Sequence, residues 1–186
     1  VNAQIEGYNH TTRNHWKVVT DASVTRNLSE GGEVVSPVLY GEGGLEELLT
    51  CDVVLKSPGI PPHNPTIVAL NEAGIYVTSM LNIWLEEFVR ARVIAITGTK
   101  GKSTTTTLVG RMLEAAGRHT LVGGNIGTPV SSQVEASTPD TVHVIEVSSF
   151  QLETTLTFHP WIAVWLNLSD DHLDRHASLE EYRAAK

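Results

Sequence analysis

A chain of 186 residues, 41% apolar and 18% charged, has a globular composition and enough length for one large domain or two small ones. Its net charge of −8 divides as 11 acidic and 5 basic side chains over residues 1–91 and 10 and 8 over residues 92–186, which leaves no basic stripe for a nucleic-acid backbone. No apolar run is long enough to span a membrane, no basic-then-apolar signal pattern opens the chain, and a lone cysteine, Cys51, excludes an internal disulfide, so a soluble cytoplasmic protein is expected; a monomer is also expected, on no residue pattern of its own.

Residues 1–16 show no clean period and no starting methionine. Lys17–Thr20 reads as a short strand closed by Asp21, which is either a ribose- or base-binding carboxylate at a sheet edge or a turn former. A turn-rich stretch from Gly31 to Gly44 leads to a short helix at Leu45–Leu49 and a strand at Cys51–Lys56, where Cys51 is a small core residue. The SPGIPP turn that follows is either a stiff connector or a ligand loop at the strand's C-terminal end. Asn64 caps a helix with Pro65 at its first position and Gly74 beyond its end. Ile75–Thr78 is a third strand, and Ser79 starts a helix with Leu81, Trp84, Leu85 and Phe88 on one apolar face. The pattern is a small β/α domain ending near Ala91.

Val93, Ile94 and Ile96 then begin a strand that breaks into TGTKGKSTTT. Gly98 and Gly101 let the backbone turn its N–H groups toward an anion, and the helix after Lys102 adds its positive dipole end. Gly98, Thr99, Lys100, Gly101, Lys102, Ser103 and Thr104 therefore read as a phosphate loop, with Lys102 reaching the β- and γ-phosphates and the Ser103 hydroxyl placed for Mg²⁺. Ile96 stands where the full GxxxxGK[ST] pattern has its first glycine, so the match is to a shorter variant; the plain alternative is a glycine-rich turn between any strand and helix.

Beyond the loop, Leu108, Val109, Met112, Leu113 and Ala116 make one apolar helix face, stopped by Gly117. A strand at Thr120–Val122 enters a flexible glycine loop, Gly123, Gly124 and Gly127, around Asn125. Val142–Val147 is a buried strand carrying Glu146 near its end, where a carboxylate beside a phosphate loop can hold Mg²⁺; the alternative is an exposed strand acid. Trp161–Leu168 is a nearly continuous apolar strand, as in a parallel sheet covered on both faces. Asp170, Asp171, His172 and Asp174 offer donors for a divalent ion, or are surface acids beside a histidine. Ser178 and Glu181 form a capping box for a last helix.

The motifs ITGTKGKSTTT, GGNIG, EVSSFQLE, NLSDDHLDRH and SLEEYRAAK, in this order, resemble those of the Mur ligases, and SSFQLE, GGNIG and SPGI are similar to the branch that adds D-glutamate. The resemblance covers roughly residues 50–186 well and residues 1–49 loosely. It implies an α/β chain with a small Rossmann-like UDP-substrate domain over residues 1–91 and the first half of a P-loop-type parallel-sheet ATPase domain over residues 92–186, the C-terminal ligase domain being absent. The activity it implies is phosphorylation of the terminal carboxylate of UDP-N-acetylmuramoyl-L-alanine by ATP, followed by attack of the D-glutamate amine, a step of peptidoglycan synthesis that this length of chain alone is expected not to complete.

ATP and Mg²⁺ are the implied cofactors. Lys102, His172 and Lys186 are implied as catalytic, Ser103 and Glu146 as ligands of one Mg²⁺, and His172 with a carbamoylated Lys186 as support for a second. Asn125, Ser148 and Gln151 match positions near the muramoyl peptide, and Asp21 the uracil-binding acid. Two departures stand out: Lys100 occupies the place of the usual asparagine, and no glycine-rich strand turn precedes Lys17. The alternatives are a non-catalytic module binding a nucleotide or UDP-sugar, and another Mur or folylpolyglutamate-type amide ligase.

Overall fold

A computed structural model describes residues 16–21, 24–28, 42–88, 91–155, 157–176 and 178–186, with side chains from residue 44 onward apart from 87 and 88. The chain divides into two compact units, Val1–Met80 and Leu81–Lys186.

In the first unit, β1 (Trp16–Asp21), β3 (Val53–Lys56) and β4 (Tyr76–Thr78) run parallel, and β2 (Val24–Leu28) pairs antiparallel with β1, in the order β2-β1-β3-β4. The sequence did not announce β2, because its TRN centre has no apolar alternation; it forms as an edge partner of β1. Helices α1 (Glu42–Leu48) and α2 (Pro65–Glu72) contribute Leu48, Ile67 and Leu70 to a core with Cys51, Val54 and Ile60. Cys51 is buried two residues ahead of its strand, which starts at Val53 and not at Cys51. Asn64 caps α2 as its sequence predicts, its side chain accepting from Thr66 N at 2.9 Å. The SPGIPP turn is tied back to the strand end by the buried Lys56, whose ammonium donates to the Ile60 carbonyl at 2.9 Å.

The helix expected from Ser79 is short. It is α3 (Met80–Ile83), which widens into a π turn over Trp84–Phe88. Leu81 and Trp84 pack with Val93, Ala95, Ile145 and Val147 of the second unit, which is why the division falls at Met80 and not near Ala91.

In that second unit β5 (Arg92–Thr97), β6 (Thr120–Gly124), β7 (Val142–Glu146) and β8 (Ile162–Trp165) form a parallel sheet in the order β6-β7-β5-β8. Period-two alternation splits the central strands between two cores. Val93, Ala95 and Ile145 face α3 and its π turn, the 3₁₀ turn Val130–Gln133 and α5 (Ser149–Leu152), whereas Ile94, Ile96, Val142 and Val144 face α4 (Lys102–Ala115). A final helix, α6 (Leu179–Ala185), follows.

Two expectations change. The face of α4 against the sheet is Thr106, Val109, Gly110 and Leu113, an i, i+3, i+4, i+7 stripe, while Leu108 and Met112 are 56% and 62% exposed. The small residues at 106 and 110 let the helix approach the strands, and the larger side chains one row over are left outside. Likewise β8 is not covered on both faces among the described residues: it is the edge strand, with Ile162 41% and Trp165 47% exposed. An apolar run records affinity for a sheet, and not the place within it.

The packing makes an uneven stability map. Ile96→Ala, at a fully buried position of β5, should cost about 2–5 kcal/mol, whereas Met112→Ala should change stability by less than about 0.5 kcal/mol, as measured by urea unfolding.

Candidate active site

Because the second sheet is parallel throughout, the C-terminal ends of its four strands lie along one edge, and the loop from β5 into α4 is there. In sheets of this kind the crevice outside those strand ends is where ligands bind. Gly98 adopts φ 150°, a strained conformation for any side chain, and a Cβ there would meet Leu166 Cβ at 3.0 Å and Asn167 N at 3.3 Å, so glycine suits the position. Lys102 Nζ donates to the carbonyls of Gly98 at 3.0 Å and Thr99 at 2.9 Å, so its charge is folded over the loop.

Glu146, at the end of β7, is only 2% exposed. Its Oε2 accepts from the Ser103 hydroxyl at 2.7 Å and its Oε1 from Asn125 Nδ2 at 2.9 Å. The glycine loop around Asn125 is therefore pinned, not flexible: Asn125 N also donates to the Glu146 carbonyl at 2.9 Å, and Gly124 N to Thr128 O at 3.1 Å. Gly124, at φ 102°, lies so close to the Glu146 backbone that a Cβ there has no room. A buried carboxylate joined to a hydroxyl is a hard oxygen pair that suits a divalent cation next to phosphates.

Lys186 comes to the same place from the end of α6. Its Nζ donates to Thr97 Oγ1 at 3.0 Å and Gly98 O at 3.1 Å and lies 4.9 Å from the Tyr182 ring centroid. Burial first, and the Lys102 charge second, bring its pKa down to about 8, against the opposing pull of Asp171 and Glu146.

His172 is exposed and sits at a positive φ of 53°, its Nε2 3.8 Å from Asp171 Oδ2 and its ring against Phe150 and Tyr182. The surrounding acids do not converge with it: among the described residues no three His, Cys, Asp or Glu side chains gather as a metal cage. Ser148 and Gln151, two and five places after Glu146, form a capping box for α5, in which Gln151 Oε1 accepts from Ser148 N at 3.0 Å. Asp21 closes β1, and its side chain is outside the described residues.

Several supporting contacts went unannounced by the sequence, which placed Thr99 in the phosphate loop but gave no sign of its partners. Thr99, 4% exposed, is bonded through Oγ1 to Ser169 N at 3.0 Å and to the Tyr182 hydroxyl at 3.2 Å. His176, buried, shares Glu153 with Arg175 and bonds Ser149 Oγ at 3.0 Å, which ties the His172 segment to α5. On the opposite face of β7, His143 Nδ1–H donates to Gln133 Oε1 at 3.1 Å and its Nε2 accepts from Ser137 Oγ at 2.8 Å. Gln133 Nε2 in turn donates to Val122 O at 3.1 Å, beside the glycine loop. A lone histidine inside the apolar VHVIEV run was the one available hint of that network.

Parallel strands feeding a Gly-Lys-Ser loop at a helix start, with a buried strand-end glutamate on the serine, define a nucleotide-phosphate domain of the P-loop type. Residues 96–186 match the Mur ligase middle domain, which places that part of the chain in the Mur ligase family. It is 48% identical over 150 residues to the UDP-N-acetylmuramoylalanine-D-glutamate ligase of Symbiobacterium thermophilum, covering 81% of this chain and 32% of that protein. Against the ligase of the same name from Pelotomaculum thermopropionicum it is 50% identical over 135 residues, covering 73% and 30%. The solved UDP-N-acetylmuramate:L-alanyl-gamma-D-glutamyl-meso-diaminopimelate ligase from Neisseria meningitides aligns with a TM-score of 0.48 at 24% identity, over 77% of this chain and 49% of that one. The chain spans about a third of the length of the two curated relatives.

His143 supplies a pH test of the network behind the site. Burial, and then the neighbouring His119, lower its pKa from 6.5 to about 4. The folded state then holds fewer protons than the unfolded state between those values, so His143 favours folding fully above about pH 6.5 and progressively less as the pH falls to 4. The Tm should drop through that window, and His143→Leu should flatten the drop while lowering Tm at pH 7, since Gln133 and Ser137 lose a buried partner.

Proposed function

We propose that the chain forms part of an ATP-dependent ligase that joins D-glutamate to UDP-N-acetylmuramoyl-L-alanine through an acyl phosphate. The observation that carries the reading is the convergence of Lys102, Lys186, Ser103 and Glu146 on one phosphate loop in a chain nearly half identical to ligases of that name. Phosphoryl transfer asks a protein mainly for alignment and charge neutralisation, and these groups offer both.

In this reading Lys102 swings from its loop carbonyls to the β- and γ-phosphates, and the α4 N-terminus adds its unpaired N–H groups. Glu146 and Ser103 hold Mg²⁺, which when bound neutralises phosphate charge. Asn125 keeps Glu146 oriented and, with Ser148 and Gln151, borders the muramoyl-peptide end of the crevice. The Tyr182 ring lies beside both Lys186 and His172. With its pKa near 8, Lys186 is partly a neutral amine close to neutral pH, and a neutral amine is the form that adds CO₂. A carbamate there replaces a cation that crowds Lys102 with an anion that supports, with His172, a second Mg²⁺. The first unit, with Asp21 at the end of β1, takes the uridine nucleotide, and the working enzyme is a cytoplasmic monomer.

The test is a chimera in which this chain replaces the matching third of the Symbiobacterium thermophilum ligase. Phosphate should be released from ATP only when UDP-N-acetylmuramoyl-L-alanine and D-glutamate are both present, and Lys102→Ala should reduce kcat by roughly 10²–10³-fold. Equal release with L-lysine or a folate in their place, or full activity in Lys102→Ala, would refute the assignment.

A further inference from the structure

The loop's shape depends on a side chain that lies far from it in sequence. Asn167, just past the end of β8, faces the phosphate loop with both ends of its amide. Its Oδ1 accepts from Thr99 N at 3.2 Å and Lys100 N at 3.0 Å, while its Nδ2 donates to Lys100 O at 3.0 Å. Only one orientation of the amide satisfies two donors on one side and an acceptor on the other. The backbone of the same residue adds a fourth bond, Thr99 N to Asn167 O at 3.1 Å, and the indole of Trp165 donates to that carbonyl at 3.1 Å.

In a phosphate loop, successive N–H groups ordinarily form the anion's nest. Here the N–H groups of Thr99 and Lys100 are already directed into Asn167. The anion is left the amides at the start of α4, from Lys102 to Thr104, which have no partner within the helix, together with the two lysine ammoniums. The close approach of Gly98 to Leu166 and Asn167 points the same way: the first half of the loop is moulded against the end of β8, and only its second half is open to a ligand.

We propose that Asn167 is a positioning residue for the nucleotide site, an asparagine clasp that fixes Thr99 and Lys100 and confines phosphate recognition to the helix end of the loop. The part of this that concerns nucleotide rests on the function proposed above, and the clasp itself does not.

Amide hydrogen exchange by NMR on the 186-residue chain separates the two. In the unaltered chain Thr99 and Lys100 amides should be protected, and Mg-ATP should shift the Lys102 to Thr104 amides while leaving those two nearly in place. Asn167→Ala should speed exchange at Lys100, whose N–H is held by the Asn167 side chain, by roughly tenfold, the factor for one net hydrogen bond, and less at Thr99, which keeps the main-chain carbonyl of residue 167, with Val144 and Ile145 in β7 unchanged, and should weaken Mg-ATP binding by a similar factor. Asn167→Asp keeps the accepting oxygen and should keep the protection, a rescue that general loosening of the fold would not produce. Protection that follows residue 167 in a chain that binds no Mg-ATP upholds the clasp and rejects the nucleotide reading. Fast exchange at both amides in the unaltered chain, Lys100 protection unchanged in Asn167→Ala, or parallel loss at Val144 and Ile145 would overturn the clasp.

Discussion

An ionised carboxylate buried at the end of a strand is costly unless its oxygens are bonded, and Glu146 meets that demand with two neutral donors from two other elements. One bond comes from the first turn of α4 and the other from the loop after β6. The carboxylate is thus the common reference for three pieces of chain whose mutual placement would otherwise rest on apolar packing alone. Apolar packing is tolerant of small shifts; a two-sided hydrogen-bonded anion is not. Moving any one of the three leaves an unsatisfied charge.

The loop carrying Asn125 is held from the other face of the sheet as well. His143 lies three residues before Glu146 on β7, so its side chain projects to the opposite face, and through Gln133 it reaches the carbonyl of Val122. One strand therefore governs the same loop twice, with a neutral histidine relay on one face and a carboxylate on the other. The glycines between them answer to closeness of backbone and not to mobility, as the approach of Gly124 to Glu146 shows.

What the letters alone disclosed was local chemistry. Gly98, Gly101, Lys102 and Ser103 are contiguous, and their geometry is set by a strand, a turn and a helix start within a few residues, so the phosphate loop was legible. So was Glu146, an acid in an otherwise apolar run. Lys186 and Asn125 became candidates only through likeness to a family, since nothing near either one announces a role. Asn167, Tyr182 and Gln133 were invisible because their partners are brought to them by sheet order, which no window of sequence contains. The α4 stripe failed for a related reason: side-chain size suggested Leu108 and Met112, but the sheet selects the row that lets backbones come close, and that row is threonine and glycine.

The rim position of β8 has its own consequence. One side of this strand presents backbone donors and acceptors with no ladder partner among the described residues, beside outward-facing Ile162 and Trp165. Such a border is a template on which another extended segment can continue the sheet. Pro160 before it and the acids at 170 and 171 after it confine that margin to a window only a few residues wide, so a strand that continues the sheet there must be short and closely matched to it.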